Sequence, residues 1–174
     1  MPDLQDLYRE IILDHYRSPR NRGELPSPPA HRVEGYNPLC GDEVVVTIEV
    51  DGGKLTDIKF AGVGCSISQS SASLMSAAVK GQPLEEVQRL IRAFKAMMSI
   101  HEATLGDDVV DDDGSLADLS PEPVDDADRY VDPASLGELA ALQGVVKFPV
   151  RIKCATLSWN ALAQGLDELE AATA

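Results

Sequence analysis

At 174 residues, with 44% hydrophobic and 25% charged side chains, the chain is long enough for one domain with a real core and ordinary for a soluble globular protein. Its formal net charge of −14 argues against the clustered positive potential that nucleic-acid binding needs, and suits an encounter with a partner presenting a basic surface. No apolar run approaches the roughly 18 residues of a membrane-spanning helix. The stretch Met1-Pro2-Asp3-Leu4-Gln5-Asp6 has neither the basic nor the apolar region of a signal peptide, so a cytoplasmic protein with no membrane partner is expected.

Leu4, Leu7, Tyr8, Ile11, Ile12 and His15 recur at helical spacing and predict an amphipathic helix over 4–16. It ends before the breaker-rich Ser18-Pro19-Arg20-Asn21-Arg22-Gly23. A Pro-rich loop follows over 25–30, and 31–36 reads as a short strand. Two β-rich runs, 42–50 and 54–61, flank Asp51-Gly52-Gly53, a hairpin signal because glycine tolerates the positive φ of such turns. Val44, Val46, Ile48 and Val50 alternate with Val45, Thr47 and Glu49, as in a half-buried strand.

From Ser66 to Lys80 the chain turns helical, with Ile67, Leu74, Met75 and Val79 for packing and Gly81 as a C-cap. The serines there suit close helix packing, with no base paired to any of them. Pro83 starts a further helix, carried by Leu84, Val87, Leu90, Ile91 and Phe94 to about Thr104. From Asp107 to Asp128 acidic residues meet no basic one, which predicts a solvated insertion at about 107–132; it lacks the residue pattern of a calcium loop. A short helix over 135–146 and a final helix from about Cys154 to Ala171 complete the chain. Strands first and helices afterwards, without alternation, give an α+β fold: a three-stranded antiparallel sheet packed against several helices, in one domain over 1–174.

The three cysteines, Cys40, Cys65 and Cys154, are an odd count and, in a reducing compartment, no disulfide framework. Cys65 and Cys154 are expected at helix N-termini, where backbone N–H groups favour a thiolate. Cys40 lies on the loop entering the hairpin, where Gly41 permits a turn that aims Cys40 and Asp42 at one point. Three thiols and Asp42 make a closed four-ligand set. Zinc accepts it, and so would ferrous iron or an iron–sulfur cluster; with no C-x-x-C pair, spacing leaves these open. His15, His31 and His101 read as surface or interface residues. Gly62-Val63-Gly64-Cys65 lacks the rest of a phosphate loop, and no G-x-S-x-G elbow exists.

Three segments carry a resemblance: Tyr36-Asn37-Pro38-Leu39-Cys40-Gly41-Asp42, the run from Phe60 through Cys65 to Ser73, and Phe148-Pro149-Val150-Arg151-Ile152-Lys153-Cys154-Ala155. Together they resemble the U-type iron–sulfur scaffold family, of NifU N-terminal and IscU-like proteins, from Leu4 to about Leu169. The fold implied is SufE/NifU-like. Housekeeping members carry a His before the third cysteine and lack a long segment ahead of it. Lys153 and the acidic stretch instead resemble the SufU branch.

For that branch the resemblance implies zinc held by Cys40, Asp42, Cys65 and Cys154, and sulfur accepted from a pyridoxal-phosphate cysteine desulfurase of the SufS type. A histidine of the desulfurase then displaces Cys40 from zinc, the freed thiolate takes the persulfide sulfur, and Arg151 takes part in the exchange. Downstream iron–sulfur assembly proteins receive the sulfur. The alternatives are a scaffold building a transient iron–sulfur cluster on the same cysteines, and a purely structural zinc domain.

Overall fold

Two-residue periodicity and one Gly-Gly turn set the sheet. β1 (His31–Asn37), β2 (Asp42–Asp51) and β3 (Lys54–Val63) pair antiparallel in the order β1-β2-β3. The structure, a computed structural model, describes residues 4–38, 41–99 and 133–173. Between the paired Asp51 and Lys54, Gly52 and Gly53 take φ of 59° and 77°, the two positive values that match a tight turn to the twist of its strands. Val33, Val44, Val46, Ile48, Ile58 and Phe60 are buried on one face of the sheet.

That face is covered by helices. α1 (Leu4–Arg17) lies on α2 (Ser66–Val79) and on a 3-10 segment (Pro133–Lys147). α2 and α3 (Leu84–Ser99) pack on β3, and α4 (Pro149–Thr173) packs on β1, β2 and α2. Phe94 of α3 and Trp159 of α4 stack at the centre, with ring centroids 4.3 Å apart. The indole N–H donates to Ser71 Oγ at 3.1 Å, and Ser71 donates to the Ala155 carbonyl at 2.5 Å, so the polar atoms beside this stack are paired, while the buried Ser158 hydroxyl has no partner among the described residues. Among the described residues no helix is long and apolar enough to cross a membrane.

Ser68, Ser70, Ser71, Ser73 and Ser76 are all buried, as packing serines should be. One of them does meet a base, against expectation. His15, read from sequence as a surface or interface residue, is buried between elements, with Nδ1 2.8 Å from Ser73 Oγ and Nε2 3.2 Å from Glu138 Oε2. Ser73 Oγ also accepts the Arg20 N–H at 2.8 Å, and because an ionised carboxylate only accepts, a proton on Nε2 would be the one that meets Glu138. Ser73 is wholly enclosed, and this network ties α1, α2 and the 3-10 segment together.

Two further expectations are corrected. The helix expected over 135–146 is a 3-10 segment interrupted at Gly137 (φ 57°, ψ −130°). Its buried residues Leu136, Leu139, Leu142 and Val145 recur every three residues, the period of a 3-10 turn rather than an α-helix. The last helix starts at Pro149, not near Cys154, because proline fits the first helical position, where no N–H is needed. Gly81 takes positive φ (78°) just past the Lys80 cap of α2, as expected, although its N–H bonds to the Leu55 carbonyl. Residues 100–104 of the helix expected after Pro83, His101, the acidic insertion and Cys40 lie outside the described residues.

Candidate metal centre

Three segments converge at one end of the sheet. Asn37 and Asp42 form the last pair of the β1–β2 hairpin, and the Gly41 N–H, at φ 71°, donates to the Asn37 carbonyl at 2.8 Å. Strand alternation places both side chains on the core side, where Asn37 is 6% and Asp42 3% exposed.

Cys65 caps α2. Its Sγ accepts the Ser68 N–H at 3.5 Å, so the helix N-terminus does present a donor to this sulfur. The Cys65 N–H donates to Asp42 Oδ1 at 3.1 Å, and the thiol lies 3.5 Å from Oδ2. The approach is possible because glycines precede it. A Cβ on Gly62 (φ 127°) would stand 2.1 Å from the Glu43 carbonyl oxygen, and one on Gly64 3.0 Å from the Asp42 carboxyl carbon.

Cys154 arrives differently from its sequence reading. It sits in the second turn of α4, buried, beyond the first turn where the helix dipole acts. Its sulfur is approached by Asn37 Nδ2 at 4.0 Å. One ligand atom from each of Asp42, Cys65 and Cys154 lies within 4.8 Å of the others. Zn–S bonds of about 2.3 Å place tetrahedral ligand atoms about 3.7 Å apart, so a small contraction closes this set on an ion. Two soft sulfurs and one carboxylate, with Asp42 and Cys154 buried and Cys65 half-buried, fit zinc.

Among the described residues no histidine joins the cluster. His31 instead pairs with Glu168 at 2.6 Å, and a hydrogen bond from Gln164, followed by this pairing, holds the Glu168 carboxyl below its ordinary pKa. Arg151 is exposed in the first turn of α4, three residues before Cys154, and Lys153 is exposed as well. Cys40 is two residues from Asp42 along the chain. Sequence reasoning overlooked Asn37, whose signal was an amide at a strand end entering a Pro-x-Cys turn. Tyr36, next to Asn37, Val63, two residues before Cys65, and Phe148, just before α4, are large side chains left exposed.

The family of NifU-like N-terminal domains matches residues 7–114. The chain is 40% identical over 168 residues to the zinc-dependent sulfurtransferase SufU of Bacillus subtilis (strain 168), covering 97% of this chain and 95% of that protein. It is 36% identical over 165 residues to the iron–sulfur cluster assembly scaffold protein IscU of Streptococcus pyogenes serotype M1, covering 94% and 84%. Among solved structures, a protein from Fervidobacterium islandicum AW-1 described as an iron–sulfur cluster assembly scaffold for the SUF system superposes with a TM-score of 0.70 at 27% identity, covering 94% of this chain and 99% of that one.

Proposed function

Because the chain belongs to the family of NifU-like N-terminal domains, we propose that it is a zinc-dependent sulfurtransferase of iron–sulfur cluster assembly, taking persulfide sulfur from a cysteine desulfurase of the SufS type. The observation that carries this reading is the convergence of Asp42, Cys65 and Cys154, with Cys40 two residues away along the chain. Bound zinc supplies one thing, keeping the thiols that hold it deprotonated at neutral pH.

The chain's own residues divide the remaining work. Cys65 is fixed by the Ser68 N–H and Cys154 is enclosed beside the Asn37 amide, so these two serve as anchors. Cys40, on the hairpin loop, serves as the acceptor. Its thiolate attacks the terminal sulfur of the partner's persulfide. A new S–S bond forms at Cys40 Sγ, the bond from that sulfur to the partner's cysteine breaks, and the partner leaves as a thiolate, with no net oxidation. Arg151 supplies positive charge on the approach to Cys154. The exposed Tyr36, Val63 and Phe148 suit the partner's contact, and downstream iron–sulfur assembly proteins take the sulfur onward.

The rival reading, a scaffold for a transient cluster, draws on the IscU likeness. Lys153, next to Cys154, favours the zinc reading, since a lysine offers a cluster neither thiolate nor imidazole. Metal analysis of the purified protein together with desulfurase turnover separates the two. Stoichiometric zinc and faster alanine release are expected; unchanged turnover overturns the proposal.

A further inference from the structure

The connection that carries Cys65 has little stiffness of its own, because sterics demand glycine at Gly62 and Gly64. Arg22 spans it. Its Nη1 donates to Gln69 Oε1 at 2.5 Å and its Nη2 to the Gly62 carbonyl at 3.0 Å. One planar fork thus joins the end of β3, before Cys65, to the start of α2 after it. The Gln69 side chain is buried, and its backbone N–H bonds to the Cys65 carbonyl at 3.0 Å.

Arg22 is itself anchored without help from that connection. The Gly23 N–H donates to the Phe60 carbonyl at 2.8 Å, and the Phe60 N–H donates to the Asn21 carbonyl at 3.0 Å. Asn21 Nδ2 donates to Ser76 Oγ at 3.1 Å, and the guanidinium carbon lies 5.9 Å from the Phe60 ring centroid. The fork therefore acts from a fixed platform bridged to the outer edge of β3.

We propose that Arg22 is a positioning residue: it clasps the arch from Gly62 to Gln69 and so holds the Cys65 sulfur against Asp42. It does not touch the reacting atoms. The consequence for zinc rests on the function proposed above; the consequence for Cys65 does not. Lysine, with one compact charge, serves one of the two acceptors and restores part of the clasp.

The test uses the full chain as purified, with Arg22→Met, Arg22→Lys and Gln69→Met. Residue-resolved alkylation by iodoacetamide, read by mass spectrometry, is run beside zinc release to a chromogenic chelator and a thermal melt. Arg22→Met is expected to speed Cys65 alkylation about three- to ten-fold, the range for an exposed charge-assisted hydrogen bond, and zinc release by a similar factor. Cys154 alkylation and the melting temperature stay unchanged, and Arg22→Lys falls between. Gln69→Met, which leaves the bond to the Gly62 carbonyl, reproduces part of the signature from the other side, and the double variant is no worse than Arg22→Met alone. An unchanged Cys65 rate, Cys65 and Cys154 rising together, or additive effects in the double variant would each overturn the clasp. Faster Cys65 alkylation in protein that carries no zinc supports the clasp while removing the zinc reading.

Discussion

Replacing Asp42 by Asn separates two jobs done by one buried carboxylate. Oδ1 accepts the Cys65 N–H at 3.1 Å, while Oδ2 lies 3.5 Å from the Cys65 sulfur, on the side of the cluster. An asparagine of the same shape keeps an oxygen for the N–H and removes both the charge and the second oxygen. Structural zinc sites bind with roughly 10–16 kcal/mol, so an equal share for one ligand of four is about 2.5–4 kcal/mol. A carboxylate among thiolates belongs at the lower end, which makes zinc loss faster by on the order of 100-fold. Asp42→Ala also strands the Cys65 N–H, at a further cost of about 1–3 kcal/mol to the fold. Chelator competition followed in real time gives the first quantity, and paired melts of the two variants under chelator give the second. Wild-type zinc retention in Asp42→Asn would remove Asp42 from the ligand set; equal stability of the two variants would remove its role in holding Cys65.

Other outcomes follow from particular contacts. Cys40→Ala should abolish desulfurase stimulation while leaving the far-ultraviolet circular dichroism spectrum intact; retained stimulation would make Cys40 dispensable. Gly62→Ala puts a Cβ 2.1 Å from the Glu43 carbonyl oxygen at φ 127°, and should cost about 2–4 kcal/mol in a denaturant melt; a change below about 0.5 kcal/mol would contradict the geometry. Burial holds the Lys95 ammonium below its ordinary pKa, with Asp167 opposing the shift. The folded state then binds fewer protons than the unfolded one between the lowered and the ordinary value, so stability rises with pH across that window. Lys95→Met should erase this rise and be the more stable protein at pH values below the window; parallel pH profiles of the two proteins would refute it.

The strands and their turn were legible because their signals are local. β-Branched residues alternate along β2, and only glycines suit the two positive φ values after Asp51. The capping role of Cys65 was legible for the same reason, since small residues before it and serines after it mark a strand giving way to a helix. The start of α4 was not: the helix was expected from about Cys154, and Pro149 as its first residue was passed over. The three-residue spacing of Leu136, Leu139 and Leu142 was in plain view, and the segment was read as a short helix without its 3-10 character being drawn from that spacing. Burial of His15 depends on Ser73 and Glu138, 58 and 123 residues away in sequence, and the Asn37 contact on Cys154, 117 residues away. Such pairings are set by the packing of α1, α2 and α4 and have no local signature. Of the four ligands proposed from sequence, the structure brings Asp42, Cys65 and Cys154 together, and Cys40 lies outside the described residues.

The central claim is that Cys40 receives sulfur while the remaining ligands hold zinc. Native mass spectrometry of the zinc-loaded protein, after one turnover of a SufS-type desulfurase with cysteine under anaerobic conditions, tests it directly. The account predicts one added sulfur, mapped by peptide analysis to Cys40, with zinc retained. Sulfur on Cys65 or Cys154, no sulfur at all, or a bound iron–sulfur cluster replacing zinc when iron is supplied would contradict it.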